Sequence, residues 1–177
     1  MTLSHQLLRH LLGVALLSVS LGASAQLDGG YAHVGVGLGN QLALAGADGG
    51  IPPVALSYDH PVTDAITVGG YLGFTRYSVP VLSEQFNYNY IIVGARGTYH
   101  LDVAVDKLDP YGGVLLGYNI VSANYTGNTP GITASAASGV GYSFFVGANY
   151  DLTDKLGAFA ELGYGIAWLQ LGLNVRL

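Results

Sequence analysis

Few side chains in this sequence are spaced for chemistry. Asp59 stands beside His60, an order in which a carboxylate can orient an imidazole as a general base, but such a pair acts only where a nucleophile converges on it. Ser57 and Ser143 have no histidine at a neighbouring position, and a solvated turn histidine is the plainer reading of His60. His60 and His100 make no metal site without a third ligand supplied by the fold. Gly35-Val36-Gly37-Leu38-Gly39 has the glycine density of a phosphate-binding loop but neither its full spacing nor a following helix, so glycine within a strand is the better account. The chain lacks cysteine, which removes thiolate nucleophiles, disulfides and cysteine metal sites. No catalytic residue, metal or cofactor is expected. The charges that remain of interest are Arg96, Glu161 and Arg176, each set in an otherwise uncharged segment. Ion pairing is the chemistry open to them, and the elements that carry them decide whether they meet.

Those elements are constrained by composition. Only 10% of the 177 residues are charged, against about 25% in an ordinary soluble domain. Half the chain is hydrophobic and glycine supplies 27 residues, which is too apolar for disorder and too glycine-rich for a helical bundle. The net charge of −5 argues against a grip on nucleic acid phosphates.

The first segment reads as an export signal. Met1 to His10 carry Arg9 and no acid, Leu11 to Leu21 are apolar apart from Ser18 and Ser20, and Gly22-Ala23-Ser24-Ala25 closes the segment with small residues. Cleavage is expected after Ala25, leaving residues 26–177 as one domain. Beyond it no apolar run approaches the about 18 residues of a spanning helix.

The mature chain follows a period of two instead. Leu169, Leu171, Leu173, Val175 and Leu177 alternate with Trp168, Gln170, Gly172, Asn174 and Arg176, and the same pattern runs through Tyr142 to Tyr150, Ala158 to Tyr164, Tyr90 to Tyr99 and Tyr31 to Leu38. Charged turns at Asp59 to Asp64, His100 to Pro110 and Asp151 to Lys155 punctuate it, and alternate with charge-poor loops at Gln41 to Ile51, Val79 to Gln85 and Ser122 to Gly139. The runs between predict eight strands: 30–39, 52–59, 65–78, 86–99, 110–121, 140–150, 155–164 and 167–177. Seven acids, Asp59 and Asp109 among them, are assigned to the three turns.

Eight antiparallel strands can close as a soluble, lipocalin-like barrel or as a membrane barrel with its apolar face outward. Away from the loop ends, the face that a soluble barrel would turn to water offers only Arg96, Glu161 and Arg176 as charges, too few for solubility. The apolar face is therefore read as lipid-facing, and a closed sheet pairs every backbone group inside the bilayer. On this parity Arg96, Glu161, Arg176, Gln170 and Asn174 project inward. A charge in a narrow lumen is costly unless paired, so Arg96 is expected to pair with Glu161, with Arg176 as the alternative partner. Ten inward glycines leave room that Tyr31, Tyr71, Tyr90, Phe145, Phe159 and Trp168 are expected to fill, with isolated water pockets in place of a channel. Tyr58, Tyr99 and Tyr150 precede the charged turns, as an interfacial aromatic girdle would.

The Ala-Ser-Ala signal end, the glycine-rich alternating strands, the turn Tyr150-Asp151-Leu152-Thr153-Asp154 and the final strand Leu169 to Leu177 resemble the small eight-stranded outer-membrane barrels of the OmpA and OmpX kind. The resemblance implies an all-β, up-and-down transmembrane barrel in a bacterial outer membrane, with outer-membrane lipid and the barrel-assembly machinery as partners, the latter through the C-terminal strand. Members of that family usually end in an aromatic residue where this chain has Leu177. A monomeric, non-enzymatic barrel with a structural or surface-interaction role is expected, its loops available to an extracellular ligand. A narrow channel for ions or small solutes, and a lipid A-modifying enzyme, are the alternatives. The His-x-Ser spacing of lipid A deacylases is absent.

Overall fold

Alternation of apolar and small or polar residues gives each segment one oily face, and the computed structural model folds these segments into eight strands. It describes residues 29–39, 50–81, 84–126, 136–165 and 167–177. The strands are β1 (Tyr31–Leu38), β2 (Gly50–Pro61), β3 (Ile66–Val81), β4 (Glu84–His100), β5 (Leu108–Thr126), β6 (Gly139–Asp151), β7 (Leu156–Tyr164) and β8 (Leu169–Arg176). Each pairs antiparallel with its sequence neighbours, and β1 pairs with β8 from Tyr31↔Arg176 to Leu38↔Leu169, closing the barrel. The export segment lies outside the described residues.

Burial is inverted relative to a soluble barrel. Outward Leu116 is 63% exposed and Val140 76%, whereas inward Arg96 is 3% exposed and Asn174 1%. On β5, the least distinct of the alternating runs, Val114, Leu116, Tyr118 and Ile120 all face outward and exposed while Tyr111 and Leu115 are buried. Closure leaves the sheet with no first or last strand, the condition for a sheet in hydrocarbon.

At the loop end β3, β4 and β5 outrun the sequence reading. Residues 79–81 and 84–85, read as loop, belong to strands: β3 and β4 stay in register to Val81↔Glu84, and β5 continues against β4 to Gln85↔Thr126. Period two persists there with its polarity reversed. The outward series changes from Phe74 to Arg76 and Ser78 on β3, from Ile91 to Asn89 and Asn87 on β4, and from Ile120 to Ser122 and Asn124 on β5. Outward polar pairs hold the extension, with Ser78 Oγ donating to Asn87 Oδ1 at 2.6 Å and Asn87 Nδ2 to Thr126 Oγ1 at 3.3 Å. Inside, Tyr77 stacks on Tyr88 and Tyr90 at centroid distances of 5.2 and 5.4 Å. Cross-strand aromatic and polar pairs stabilise a ladder without any lipid-facing requirement.

The opposite end carries Gly29, Leu177 and the short turns. Two of these turns share the order Thr-Asp and one device. Thr63 Oγ1 accepts from the Ile66 amide at 3.0 Å, and Thr153 Oγ1 from the Leu156 amide at 3.0 Å, holding each turn with a side chain where the backbone reverses. Lys107 takes a left-handed φ of 69° at the end of the third.

Candidate functional site

The barrel register places the inward charges in one cluster. Asp59 on β2 is paired with Gly69 on β3, and Gly69 with Arg96 on β4. A Cβ at Gly69 would lie 2.7 Å from Asp59 Oδ1, so glycine on the intervening strand is what lets the two side chains meet. Across the lumen the device repeats: Glu161 on β7, Gly147 on β6 and Tyr111 on β5 form one row, and a Cβ at Gly147 would crowd Tyr111 at 2.8 Å and Glu161 at 2.9 Å.

Arg96 joins the two halves. Its Nη2 donates to Glu161 Oε1 at 2.7 Å and Nη1 to Ser57 Oγ at 3.2 Å, while Nε stands 3.1 Å from Asp59 Oδ1 as a charge contact. Tyr111 donates its hydroxyl to the same Glu161 oxygen at 2.8 Å, and the guanidinium carbon lies 4.6 Å from the centroid of the Phe145 ring. One planar cation thus bridges strands on opposite sides of the barrel, a task that suits the guanidinium fork and not a point charge. Phe145 lies over Gly113, and Phe159 over Gly35 and Gly172; the inward glycines seat aromatic rings, so the lumen is filled. A small cavity of about 30 Å³ remains beside Arg96, Glu161 and Gln170, room for about one water.

A polar chain runs from this cluster to the turn end. His33 Nδ1 is 3.5 Å from Asp59 Oδ2, and His33 Nε2 is 3.3 Å from Asn149 Oδ1. Asn174 Nδ2 donates to that Asn149 oxygen at 2.8 Å, and Asn149 Nδ2 donates to Asp109 Oδ2 at 3.0 Å. Asp109 meets His100 Nδ1 at 2.8 Å, and His100 Nε2 is 3.0 Å from Thr98 Oγ1.

Several residues stand where the sequence did not put them. Asp59 and Asp109 lie within strands, not turns. Asp59 is buried because β2 continues to Pro61 and its parity aims Asp59 at Arg96. Arg176 does not reach Glu161: it sits at the rim, its Nη2 3.1 Å from Asp151 Oδ2 and 2.7 Å from the Tyr31 hydroxyl. Gln170 accepts from Tyr71 at 3.5 Å. Trp168 fills no lumen; it is 59% exposed because β8 begins only at Leu169 and the turn breaks the alternation before it. Tyr99 and Tyr150 stand exposed on the outer face at the turn end, and half-buried Tyr58 lies 3.4 Å from His60 Nδ1. Asp59 and His60 point to opposite faces of β2, so they form no base and orienter. Thr98, His100 and Asp109 do have the linear order of nucleophile, base and orienter. Thr98 is only 3% exposed and its hydroxyl also meets Thr67, which leaves no approach for a substrate. Among the described residues no group of three or more His, Asp or Glu side chains is placed to hold a metal ion.

No protein-family model matches the chain, and no curated protein does. Among solved structures it is similar to the outer membrane protein OprG from Pseudomonas aeruginosa, with a TM-score of 0.55 and 12% identity over 84% of this chain and 93% of that one. Weaker likenesses include Neisserial surface protein A, at a TM-score of 0.49 and 18% identity over 84% of this chain and 95% of that one. A de novo designed transmembrane β-barrel gives 0.48 and 19% over 86% and 98%. The fold is that of the small eight-stranded transmembrane barrels.

Proposed function

We propose that this chain is exported to a bacterial outer membrane, loses residues 1–25 on the way, and serves there as a non-enzymatic, monomeric barrel with a structural and surface-interaction role. The observation that carries this reading is the lumen: Arg96 ties β2 to β7 across the barrel and aromatic rings seated on glycine occupy the space around it. A barrel closed in this way transmits no solute, and its functional surface is its outside and its ends. Lipid meets the outward apolar belt, Tyr58, Tyr99 and Tyr150 form the girdle at the periplasmic interface, and β8 presents its alternating face to the assembly machinery. The tall β3–β5 wall, polar outside, is the part offered to partners, since recognition is usually carried by what a rigid scaffold projects.

Planar-bilayer recording tests closure. The purified barrel is expected to give no steady conductance, and a steady ohmic current would replace this reading with that of a narrow channel. Orientation is tested separately, because a chain without cysteine accepts single probes. Asn87→Cys is expected to react with a membrane-impermeant maleimide on intact cells and Asp154→Cys only after lysis, with an intact mass beginning at Gln26. The reverse labelling would invert the barrel.

A further inference from the structure

We propose a second site: a crevice through the barrel wall, at the loop end of β6, that takes up the acyl chain of a neighbouring membrane lipid. β6 is paired with β5 from Asn119↔Gly139 onward, but its ladder with β7 begins only at Phe144↔Tyr164, where β7 ends and the chain turns towards β8. Among the described residues, 139–143 therefore have a strand on one side and none on the other. A cavity of about 200 Å³ lies at this step.

Its lining contains both faces of the sheet. Ile92 and Leu115 are buried and share the inward parity of Arg96, whereas Val140, Tyr142 and Tyr164 are exposed on the lipid side. An intact ladder separates these two sets, so among the described residues a single cavity touching both crosses the wall where the β6–β7 ladder stops. Gly117 and Gly141 keep that wall thin. The polar residues at hand are Asn119 and Ser143, and the Ser143 hydroxyl is already committed to the Tyr164 carbonyl.

The occupant follows from the mouth. It is continuous with the lipid-facing belt and lies beside Tyr118 and Ile120, below the change to polar Ser122 on the neighbouring strand, so the medium at its entrance is hydrocarbon. Dry apolar cavities of roughly 150 Å³ admit benzene, and this larger one admits the end of an alkyl chain. The depth is limited, because Leu115 and Ser143 also line the small cavity over Arg96 and Glu161; an entering chain stops at the charged cluster.

Photo-cross-linking tests this with the full barrel in phosphatidylcholine vesicles whose acyl chains carry a diazirine. Adducts are expected on Ile92 and Leu115 as well as on Tyr142. Adducts confined to outward residues such as Val140 and Tyr142 overturn the proposal, since bulk lipid reaches those without any crevice. Asn119→Trp, checked for folding by its heat-dependent electrophoretic migration, is expected to reduce inward adducts to background while sparing Tyr142. Unchanged inward labelling in that folded variant also overturns it.

Discussion

Arg96→Ala is expected to lower the stability of the barrel by about 3–5 kcal/mol, the usual result of removing one partner from a buried ion pair. The guanidinium is the only cation among the described lumen residues within contact of Asp59 and Glu161, and it is 3% exposed. Its loss leaves two buried carboxylates without the counter-charge that they share. Urea titration of the vesicle-inserted barrel measures the effect. Arg96→Lys is expected to recover only part of it, because an ammonium cannot reach Ser57, Asp59 and Glu161 at once. Pairing itself is read from the cycle formed with Glu161→Ala: a coupling of about 0.5–3 kcal/mol is expected between groups in direct contact, and strictly additive losses would refute an energetic link between Arg96 and Glu161.

Leu116→Arg is expected to cost about 2–4 kcal/mol, the penalty for a charge on the lipid face near mid-depth of a transmembrane barrel, against about 0–1 for the same charge near the interface. Leu116 is 63% exposed in the isolated chain, so in a water-soluble barrel the substitution would be close to neutral. Ser122→Arg provides the comparison, being on the same strand and the same face beyond the outward change from Ile120. A large loss at Leu116 with little at Ser122 identifies hydrocarbon at the first position. Equal, small effects at both would remove the lipid-facing belt.

The strands were legible because alternation is a local property: whether Val93 or Arg96 faces out follows from its neighbours two residues away. The ends were less so, since around Ser78 and Asn87 the outward face turns polar and Pro80 looks like a loop residue, while the ladder continues to Val81↔Glu84. The cluster was legible in part. Arg96 and Glu161 are conspicuous as charges in uncharged runs, but Asp59 is followed by His-Pro and carries every local sign of a turn. Only register shows that Asp59, Gly69 and Arg96 share a row, and register is set by turn lengths that single residues do not announce. His33, Asn149 and Asp109 were missed for the same reason; their contacts span up to 116 positions. The signal that was available is the pairing of inward glycines with inward large residues, for a glycine facing the lumen implies a neighbour lying over it.

Closure of the sheet has a consequence for how the chain folds. Every backbone ladder joins strands adjacent in sequence except the β1–β8 seam, whose partners begin with Tyr31 and Arg176. The hairpins can therefore form by short-range zipping, and the loop entropy of the whole domain falls on one late event. The residues at that seam are equipped for it: Arg176 holds Tyr31 at 2.7 Å, the Leu177 amide donates to the Gly30 carbonyl at 2.9 Å, and the Gly29 amide donates to the Leu177 carbonyl at 3.1 Å. Leu177 is thereby bonded on both its amide and its carbonyl to the residues that precede β1, and the seam is held one residue past the end of β8.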